Sequence, residues 1–314
     1  MSENMICTLK WRRKGLAMEK REYVIAVDST SDMHKEYYEE NNILLIGMQY
    51  TINDKEYVQF SDNCLQTKEF YDMVRAGAMP KTSQISYERL SQLFESVAQQ
   101  GKDVFYLSFS SQLSGSYQTS LLAAKDIMEK YPDCKISVVD SISACTGEGL
   151  LLHKCVQKRN SGADLEELTR YAEELKGRVV HLFTVDDLNH LHRGGRLSKL
   201  SAVFGGMLGI KPILFFNELG QLLPYSKVRG RRQSLDAMAK QMAKTYIPEE
   251  NQEIFISSGD ADSDAHYLGE SIQKLMPGVK KITYGDIGAV IGAHSGPGTV
   301  ALFYIGKDRQ TVEI

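Results

Sequence analysis

The sequence predicts an α/β fold in which helices cover a mostly parallel sheet. Apolar segments of strand length alternate with longer segments in which apolar residues recur every three or four positions. Three of the predicted strands end in hydroxyl-rich loops, at residues 28–31, 108–116 and 140–143. Parallel strands bring such loops to one edge of the sheet, where α/β proteins bind ligands.

The elements of the first half follow in order. Strands are predicted at residues 23–27, 43–49, 104–109 and 136–139, and a hairpin at 50–58 turns at Asn53-Asp54. Helices are predicted at 35–41, 66–75, between Ser86 and Gly101, after the serine loop at 110–116, at 146–159 and at 164–175. Asp164 and Glu167 have the spacing of a capping box. Residues 80–84 are predicted as a polar loop.

A second α/β domain with a mixed sheet is predicted to begin near Arg178. A chain of 314 residues is long enough for about two domains. We therefore divide it into an N-terminal extension at 1–21, an N-terminal domain at 22–177 and a C-terminal domain at 178–314. In the last of these, strands are predicted at 179–185, 209–215, 222–228, 253–258, 280–284 and 300–304, with helices at 187–192, 198–205, 231–246 and 265–275.

Composition and charge argue against several classes of protein. A net charge of −3 argues against a nucleic-acid-binding protein that relies on general electrostatics. No segment approaches the ~20 consecutive apolar residues that cross a bilayer, and no apolar signal-peptide region precedes residue 23. The five cysteines form no C-x-x-C pair, so we expect reduced thiols and a cytoplasmic location. The segment before Met18 is expected to be a disordered arm, an artefact of an upstream start or a short basic helix.

The serine loop that follows the strand at 104–109 is the first candidate site. It reads SSQLSGS from Ser110 to Ser116 and leads into a helix. Free N–H groups and the positive end of the helix dipole favour an anion there, and serine hydroxyls add donors. Alternatively, Ser114 or Ser116 only caps the helix. With three such loops on one edge, a polar-lipped cleft is expected, with Ser29, Ser83 and Gly115 at its lip.

Two further segments carry residues suited to ligand recognition. His294 is predicted in a glycine-rich turn, GAHSGPG, from which its ring can donate to a ligand, although a lone histidine is more often structural. Arg193 and Arg196 flank Gly194-Gly195 and suit phosphate or carboxylate recognition, or else form a solvated turn.

No histidine spacing indicates a metal site. The G-x-S-x-G and G-x-x-x-x-G-K-[ST] patterns are absent, so neither a serine hydrolase nor a nucleotide-binding protein is indicated.

Taken together, these segments resemble the DegV family of bacterial fatty-acid-binding proteins. Each motif is weak alone, but the ordered set is specific and covers the chain from about Tyr23 to its end. The matching segments are DSTSD at 28–32, TSQ at 82–84, SSQLSGSYQ at 110–118, VDS at 139–141, LHRGGRLS at 191–198, LGIKPI at 208–213 and HSGPG at 294–298. Ile85 and Ser116 depart from the pattern, at positions where Pro and Thr are common.

The resemblance implies a two-domain protein that holds a long-chain fatty acid between its domains. In the family, the residues that match Thr82 and Ser114 bind the carboxylate, and the one that matches His294 lies beside it. The position of Arg193 is implicated in function, so Arg193 and Arg196 are predicted to serve transfer or partner contact. Some members present the acid to a separate ATP-using fatty acid kinase that makes acyl phosphate for phospholipid synthesis. No cofactor other than the bound acid is implied.

Other functions stay open at this point. Dihydroxyacetone kinases have a related two-domain fold with a histidine that binds the ketone covalently, and by that analogy His294 would be the nucleophile of a stand-alone enzyme. A regulatory protein is a further alternative, and transient contact with a membrane surface is compatible with a lipid ligand. For the acyl tunnel we predict a lining of Leu208, Ile210, Ile213 and Phe215.

Overall fold

The structure is a computed structural model that describes residues 21–196 and 209–309. The predicted helix at 198–205, the motif residues 197, 198 and 208, and nearly all of the predicted N-terminal extension lie outside the described residues. Among the described residues, no helix is long and apolar enough to cross a membrane. The predicted α/β class, with one parallel and one mixed sheet, is confirmed.

The first sheet is parallel, with strand order β2-β1-β6-β7. Its strands are β1 (Tyr23–Asp28), β2 (Ile43–Ile46), β6 (Asp103–Ser108) and β7 (Ile136–Asp140). Helices cover both faces, which is why all six residues of β6 are buried. They are α1 (Lys35–Glu40), α3 (Tyr87–Ala98), α4 (Ser116–Lys130), α5 (Thr146–Asn160) and α6 (Leu165–Lys176). Ser86 caps α3, and Asp164 with Glu167 forms the predicted capping box of α6.

A small antiparallel sheet, ordered β4-β3-β5, extends this half of the chain. The predicted hairpin is confirmed as β3 (Gln49–Ile52) and β4 (Lys55–Val58), with positive φ angles at Asn53 and Asp54. The predicted polar loop at 80–84 is wrong, because Lys81–Ser83 forms strand β5 beside β3, with Thr82 opposite Tyr50. Helix α2 (Thr67–Arg75) follows the hairpin and packs near it.

The second half forms a six-stranded mixed sheet, ordered β10-β9-β8-β13-β11-β12. The strands are β8 (Val179–Thr184), β9 (Ile210–Phe216), β10 (Leu222–Arg229), β11 (Glu253–Ser258), β12 (Lys281–Asp286) and β13 (Val300–Ile305). Helices α8 (Arg231–Thr245) and α9 (Asp262–Leu275) cover one face. The short helices α7 (Asn189–Arg193) and α10 (Ala289–Ser295) lie in the connections.

Helix α5 fills the space between the two larger sheets. Its buried side chains share one apolar core with Ile25 and Phe105 of the parallel sheet and with Phe255 and Phe303 of the mixed sheet. The approach is close, since a Cβ on Gly147 would lie 2.2 Å from Nε2 of His181. The division at residues 177 and 178 stays a prediction, because this core is common to both halves.

His294 lies in the last turn of α10, so its predicted placement in a glycine-rich turn is wrong. Tertiary packing explains the helix, because Ala289, Val290 and Ala293 bury their side chains beside Phe70 and Tyr71 of α2. Glycine is required at position 292 for space, since a Cβ there would lie 2.5 Å from the Tyr71 hydroxyl. Gly296 then ends the helix with a φ of 75°.

Two buried carboxyl groups meet at the end of β1 and share one threonine. Asp28 accepts hydrogen bonds from the Thr30 hydroxyl, from Thr30 N at 3.0 Å and from Phe109 N at 2.8 Å. Oε2 of Glu148 lies 2.9 Å from the same hydroxyl, and its Oε1 has no partner within the described part of the chain. Burial, and then the neighbouring Asp28, raise the pKa of Glu148 well above its usual range. A protonated Glu148 can donate to Thr30, which then donates to Asp28.

We predict that Glu148→Gln weakens the pH dependence of folding stability. The raised pKa means that folded Glu148 keeps its proton after the unfolded chain has lost it, so wild-type stability falls as the pH rises above the unfolded value of 4.5. Glutamine has the shape of the neutral acid and does not titrate. Urea unfolding between pH 4 and 8 should therefore show the variant gaining stability relative to wild type as the pH rises.

The exposed Glu174 on α6 provides the matched control. Glu174→Gln should give a curve parallel to that of wild type. A Glu148→Gln variant that loses stability relative to wild type as the pH rises would show that the carboxylate is ionised in the folded protein.

Candidate functional site

A cavity of about 170 Å³ lies between the two larger sheets. One water molecule needs only about 10–15 Å³ in the same measure, so this is a binding-sized space rather than a packing defect. Both halves of the chain contribute to its wall. The apolar part of the lining consists of Met48, Phe109, Leu113, Ala144, Cys145, Phe183, Leu191, Phe216, Leu222, Ile287, Val290, Ile291, Ala301 and Phe303.

Polar residues of the wall come from segments that are distant in sequence, and besides the residues named next they include Gln84, His181, Ser295 and Thr299. Thr82 and Ser83 belong to β5, Ser114 precedes α4, Arg196 follows α7, and His294 ends α10. Three contacts hold these segments together. They are Thr82 to His294 at 2.8 Å, the N–H of Ile85 to the Ser116 hydroxyl at 3.1 Å, and Nε of Arg196 to the carbonyl of Leu113 at 3.1 Å. We refer to Thr82, Ser114, Arg196 and His294 as the polar cluster.

The contact between Thr82 and His294 identifies the histidine tautomer. Among the residues that the structure describes, the buried Nδ1 of His294 has no partner, and it faces Gly194 so closely that a Cβ there would lie 2.2 Å away. An N–H at Nδ1 would be a buried donor without an acceptor, which costs more than a buried lone pair. The proton therefore belongs on Nε2, which donates to Oγ1 of Thr82. The Thr82 hydroxyl is then free to donate its own proton into the cavity.

His294 is neutral in this environment. Burial, and then the positive charge of Arg196, lower the pKa of its ring to about 4. The guanidinium of Arg196 is itself half-buried and donates to the carbonyls of Leu113 and Gly194. The polar cluster thus offers hydroxyl donors and one cation but no carboxylate, a combination that suits an anion.

Ser114 both caps a helix and lines the cavity. Gly115 has helical angles, so Ser114 stands at the start of α4, and its Oγ accepts the N–H of Ser116 at 3.2 Å. Its hydroxyl also lies 2.9 Å from the hydroxyl of Ser116. The two interpretations of this serine from sequence are therefore compatible, since a cap uses only the lone pairs of the oxygen.

The remaining predicted site residues divide between the cavity and the surface. Ser83 and Gly115 line the cavity, and their predicted position at its lip stays a prediction. Ser29 does not line it, because that side chain is buried and its Oγ accepts the N–H of Met48 at 2.8 Å. Arg196 lines the cavity, whereas Arg193 is exposed on α7, where its guanidinium contacts His190.

The predicted acyl-chain lining is wrong for the residues that the structure describes. Ile213 and Phe215 of β9 belong to the core beneath α8 and α9, on the far face of the mixed sheet. Their neighbour Phe216 faces the cavity instead, together with Phe183 of β8 and Phe303 of β13. Ile210 does not line the cavity, and Leu208 lies outside the described residues. The signal that could have found Phe183 and Phe216 is strand alternation, but it does not tell which face lines a cavity.

Comparison with known proteins gives the family. The profile described as "Uncharacterised protein, DegV family" matches residues 22–307. A DegV domain-containing protein of Clostridium perfringens is 40% identical over 290 residues, which cover 92% of this chain and 99% of that protein. The chain belongs to the DegV family. A second DegV domain-containing protein, from Streptococcus pyogenes, is 35% identical over 288 residues, again with 92% and 99% coverage.

Solved structures of similar proteins have the same fold. A structure described as fatty acid binding of a DegV family protein, from Thermus thermophilus, superimposes with a TM-score of 0.81 at 25% identity and covers 91% of this chain and 99% of that one. A stearic-acid-binding protein from Eubacterium ventriosum gives 0.82 at 26% identity, with 91% and 98% coverage. DegV of Bacillus subtilis, described as a fatty acid binding protein, gives 0.79 at 27% identity, with 91% and 100% coverage.

We predict that the His294 ring of this DegV protein stays neutral until the pH falls to about 4. Arg196→Gln should raise the pKa of His294, because it removes the nearby positive charge that opposes protonation. NMR titration of the histidine ring signals measures both values. Arg193→Gln is the matched control, since that arginine is exposed and contacts His190 instead. A His294 pKa that is unchanged in Arg196→Gln would contradict the electrostatic coupling.

Proposed function

We propose that this DegV protein binds a long-chain fatty acid in the cavity between its sheets, with the carboxylate on the hydroxyls of Thr82 and Ser114 and with His294 beside it. The observation that carries the proposal is the position of the polar cluster in the wall of a cavity whose lining is mostly apolar. Donors in a small group bind a head group, and the aromatic and aliphatic wall accepts a hydrocarbon tail. Among similar proteins of known structure, those from Thermus thermophilus, Eubacterium ventriosum and Bacillus subtilis are described as binding fatty acids.

The protonation states of the polar cluster suit a carboxylate. With Nε2–H of His294 donating to Thr82, the threonine hydroxyl has its proton available. Ser114 offers a second hydroxyl, and the two oxygens of a carboxylate can accept both. The half-buried Arg196 adds a positive charge within the same wall.

The tail supplies most of the affinity and the head group supplies orientation. A sixteen-carbon acid has about fourteen CH₂ groups, and at ~0.8 kcal/mol each their burial contributes roughly 11 kcal/mol before losses. Each charge-assisted hydrogen bond adds only ~1.5–3 kcal/mol, and association removes several kcal/mol. We therefore expect binding to tolerate the loss of one hydroxyl but to need a long chain.

The finer proposal is that a separate kinase acts on the bound acid. In that step a carboxylate oxygen would attack the γ-phosphorus of ATP held by the kinase, giving acyl phosphate and ADP. The sequence of this chain has no phosphate-binding G-x-x-x-x-G-K-[ST] motif, so the nucleotide must come with the partner. Arg193 is exposed and lies three residues from Arg196 of the cavity wall, which supports a role for Arg193 in contact with the partner.

The geometry favours binding over a stand-alone enzyme with His294 as nucleophile. Nε2 of that ring is held by Thr82 at 2.8 Å, and Nδ1 faces the backbone at Gly194. Neither nitrogen is directed at open space in the cavity, whereas a nucleophile needs one free nitrogen aimed at its substrate.

Displacement of a fluorescent fatty acid from the delipidated protein tests the proposal. Wild type should bind saturated and unsaturated C14–C18 acids saturably, and Ser114→Ala should weaken binding by roughly tenfold to a hundredfold, the loss of one charge-assisted bond. No saturable binding by wild type would refute the proposed function.

A matched variant separates the loss of a helix cap from the loss of a ligand contact. Ser86 caps α3 by accepting the N–H of Arg89 at 3.4 Å, and it does not line the cavity. Ser86→Ala should lower the melting temperature, by the ~1 kcal/mol of a lost cap, with affinity unchanged. If Ser114→Ala behaves in the same way, Ser114 is only a cap.

For the kinase step, we predict that Arg193→Ala impairs acyl-phosphate formation more than fatty-acid binding. The arginine is exposed and does not line the cavity, so its loss removes a surface charge without altering the bound tail. Acyl phosphate should be assayed with the cognate kinase and ATP, beside affinity on the same preparation. Normal acyl-phosphate formation combined with lost fatty-acid binding would reverse the assignment of Arg193 to partner contact.

A further inference from the structure

The hydroxyl of Ser116 occupies a central place beneath the polar cluster. Its side chain is fully buried in the first turn of α4 and does not line the cavity. Within the described residues, two groups contact its Oγ: the N–H of Ile85 at 3.1 Å and the hydroxyl of Ser114 at 2.9 Å. Ser116 thereby links the segment that carries Thr82 to the loop that carries Ser114.

Counting the available protons gives the direction of the hydrogen bond between Ser114 and Ser116. Oγ of Ser116 accepts from Ile85, so its own proton needs an acceptor, and among the contacts of the described residues only Oγ of Ser114 lies within reach. The reverse direction would leave a buried O–H without a partner, which is costly. Ser116 therefore donates to Ser114.

This direction leaves the Ser114 hydroxyl with one remaining function. Its oxygen accepts from the N–H and from the O–H of Ser116, which uses both lone pairs. Its proton has no acceptor among the described residues, and the side chain lines the cavity. A serine in this state can only donate, which is what a carboxylate requires.

We propose that Ser116 is a positioning residue that holds the Ser114 hydroxyl as a donor toward the ligand head group. The inference rests on the proposed function and adds a residue that does not touch the ligand. Because Ser116 is anchored by Ile85, three residues after Thr82, it also keeps the two donor segments in register. Loss of its hydroxyl would let the Ser114 side chain rotate and donate elsewhere.

A double-mutant cycle in binding tests the proposal. The delipidated full chain, its Ser114→Ala, Ser116→Ala and double variants are titrated with hexadecanoic acid. Ser116→Ala should weaken binding by about threefold to tenfold in the wild-type background and by less than about twofold when Ser114 is already alanine. The stability cost of Ser116→Ala should be present in both backgrounds, since Ile85 loses its acceptor in each.

Two further substitutions separate the hydroxyl from the volume of the side chain. Ser116→Cys nearly preserves the shape of the side chain but replaces the hydroxyl with a weak donor, so its affinity for the acid should fall. This variant keeps the test possible if Ser116→Ala does not fold. Ser116→Thr keeps the hydroxyl and should restore affinity. Ser120→Ala is the control on the same helix, because that buried serine donates to the carbonyl of Tyr117 at 2.7 Å, and affinity should not change.

The outcomes are distinct. An equal loss from Ser116→Ala in both backgrounds, or unchanged affinity in Ser116→Ala or Ser116→Cys, overturns the positioning role and leaves the proposed function intact. Wild-type protein without saturable hexadecanoic acid binding overturns the proposed function together with the inference that rests on it.

Discussion

The packing of α5 against both larger sheets is the constraint on which the rest of the structure depends. Glycines allow it, since a Cβ at Gly147 would meet His181 of the mixed sheet, and one at Gly149 would lie 2.6 Å from Sδ of Met33 beside the parallel sheet. The shared apolar core then sets the separation of the two sheets. The cavity is the space that remains beside this helix, and its wall therefore comes from both halves of the chain.

Burial controls the charge of the polar groups around that core. Glu148 is deep beside β1 and its pKa is raised, so the neutral acid is favoured. His294 is buried in the cavity wall and its pKa is lowered to about 4, so the neutral ring is favoured there as well. Both shifts have desolvation as their largest cause. A neutral histidine acts through hydrogen bonding, and in this site it orients Thr82. The positive charge beside the proposed head-group position belongs instead to Arg196.

Two local predictions failed for the same physical reason. Residues 81–83 have the polar composition of a loop, yet they form β5 because β3 offers an edge for pairing. Residues 289–295 contain glycine and histidine, yet they form α10 because their alanines and valine pack on α2. In both segments a contact from a distant part of the chain outweighs a weak local preference. The change matters for the site, since a strand and a helix hold Thr82 and His294 more rigidly than two loops would.

The sequence by itself determined the α/β class, the order of the elements apart from β5 and α10, and the candidates Thr82, Ser114 and His294, because periodicity, capping signals and ordered motifs are local properties of the chain. Even the family was identifiable from those motifs. Only the tertiary structure decided which strand faces line the cavity, where Phe216 replaces the expected Phe215. It alone also separated Arg196 in the wall from Arg193 on the surface, and joined Ser116 to Ile85. These features depend on how distant segments pack, and a one-residue step along a strand reverses the side that each side chain faces.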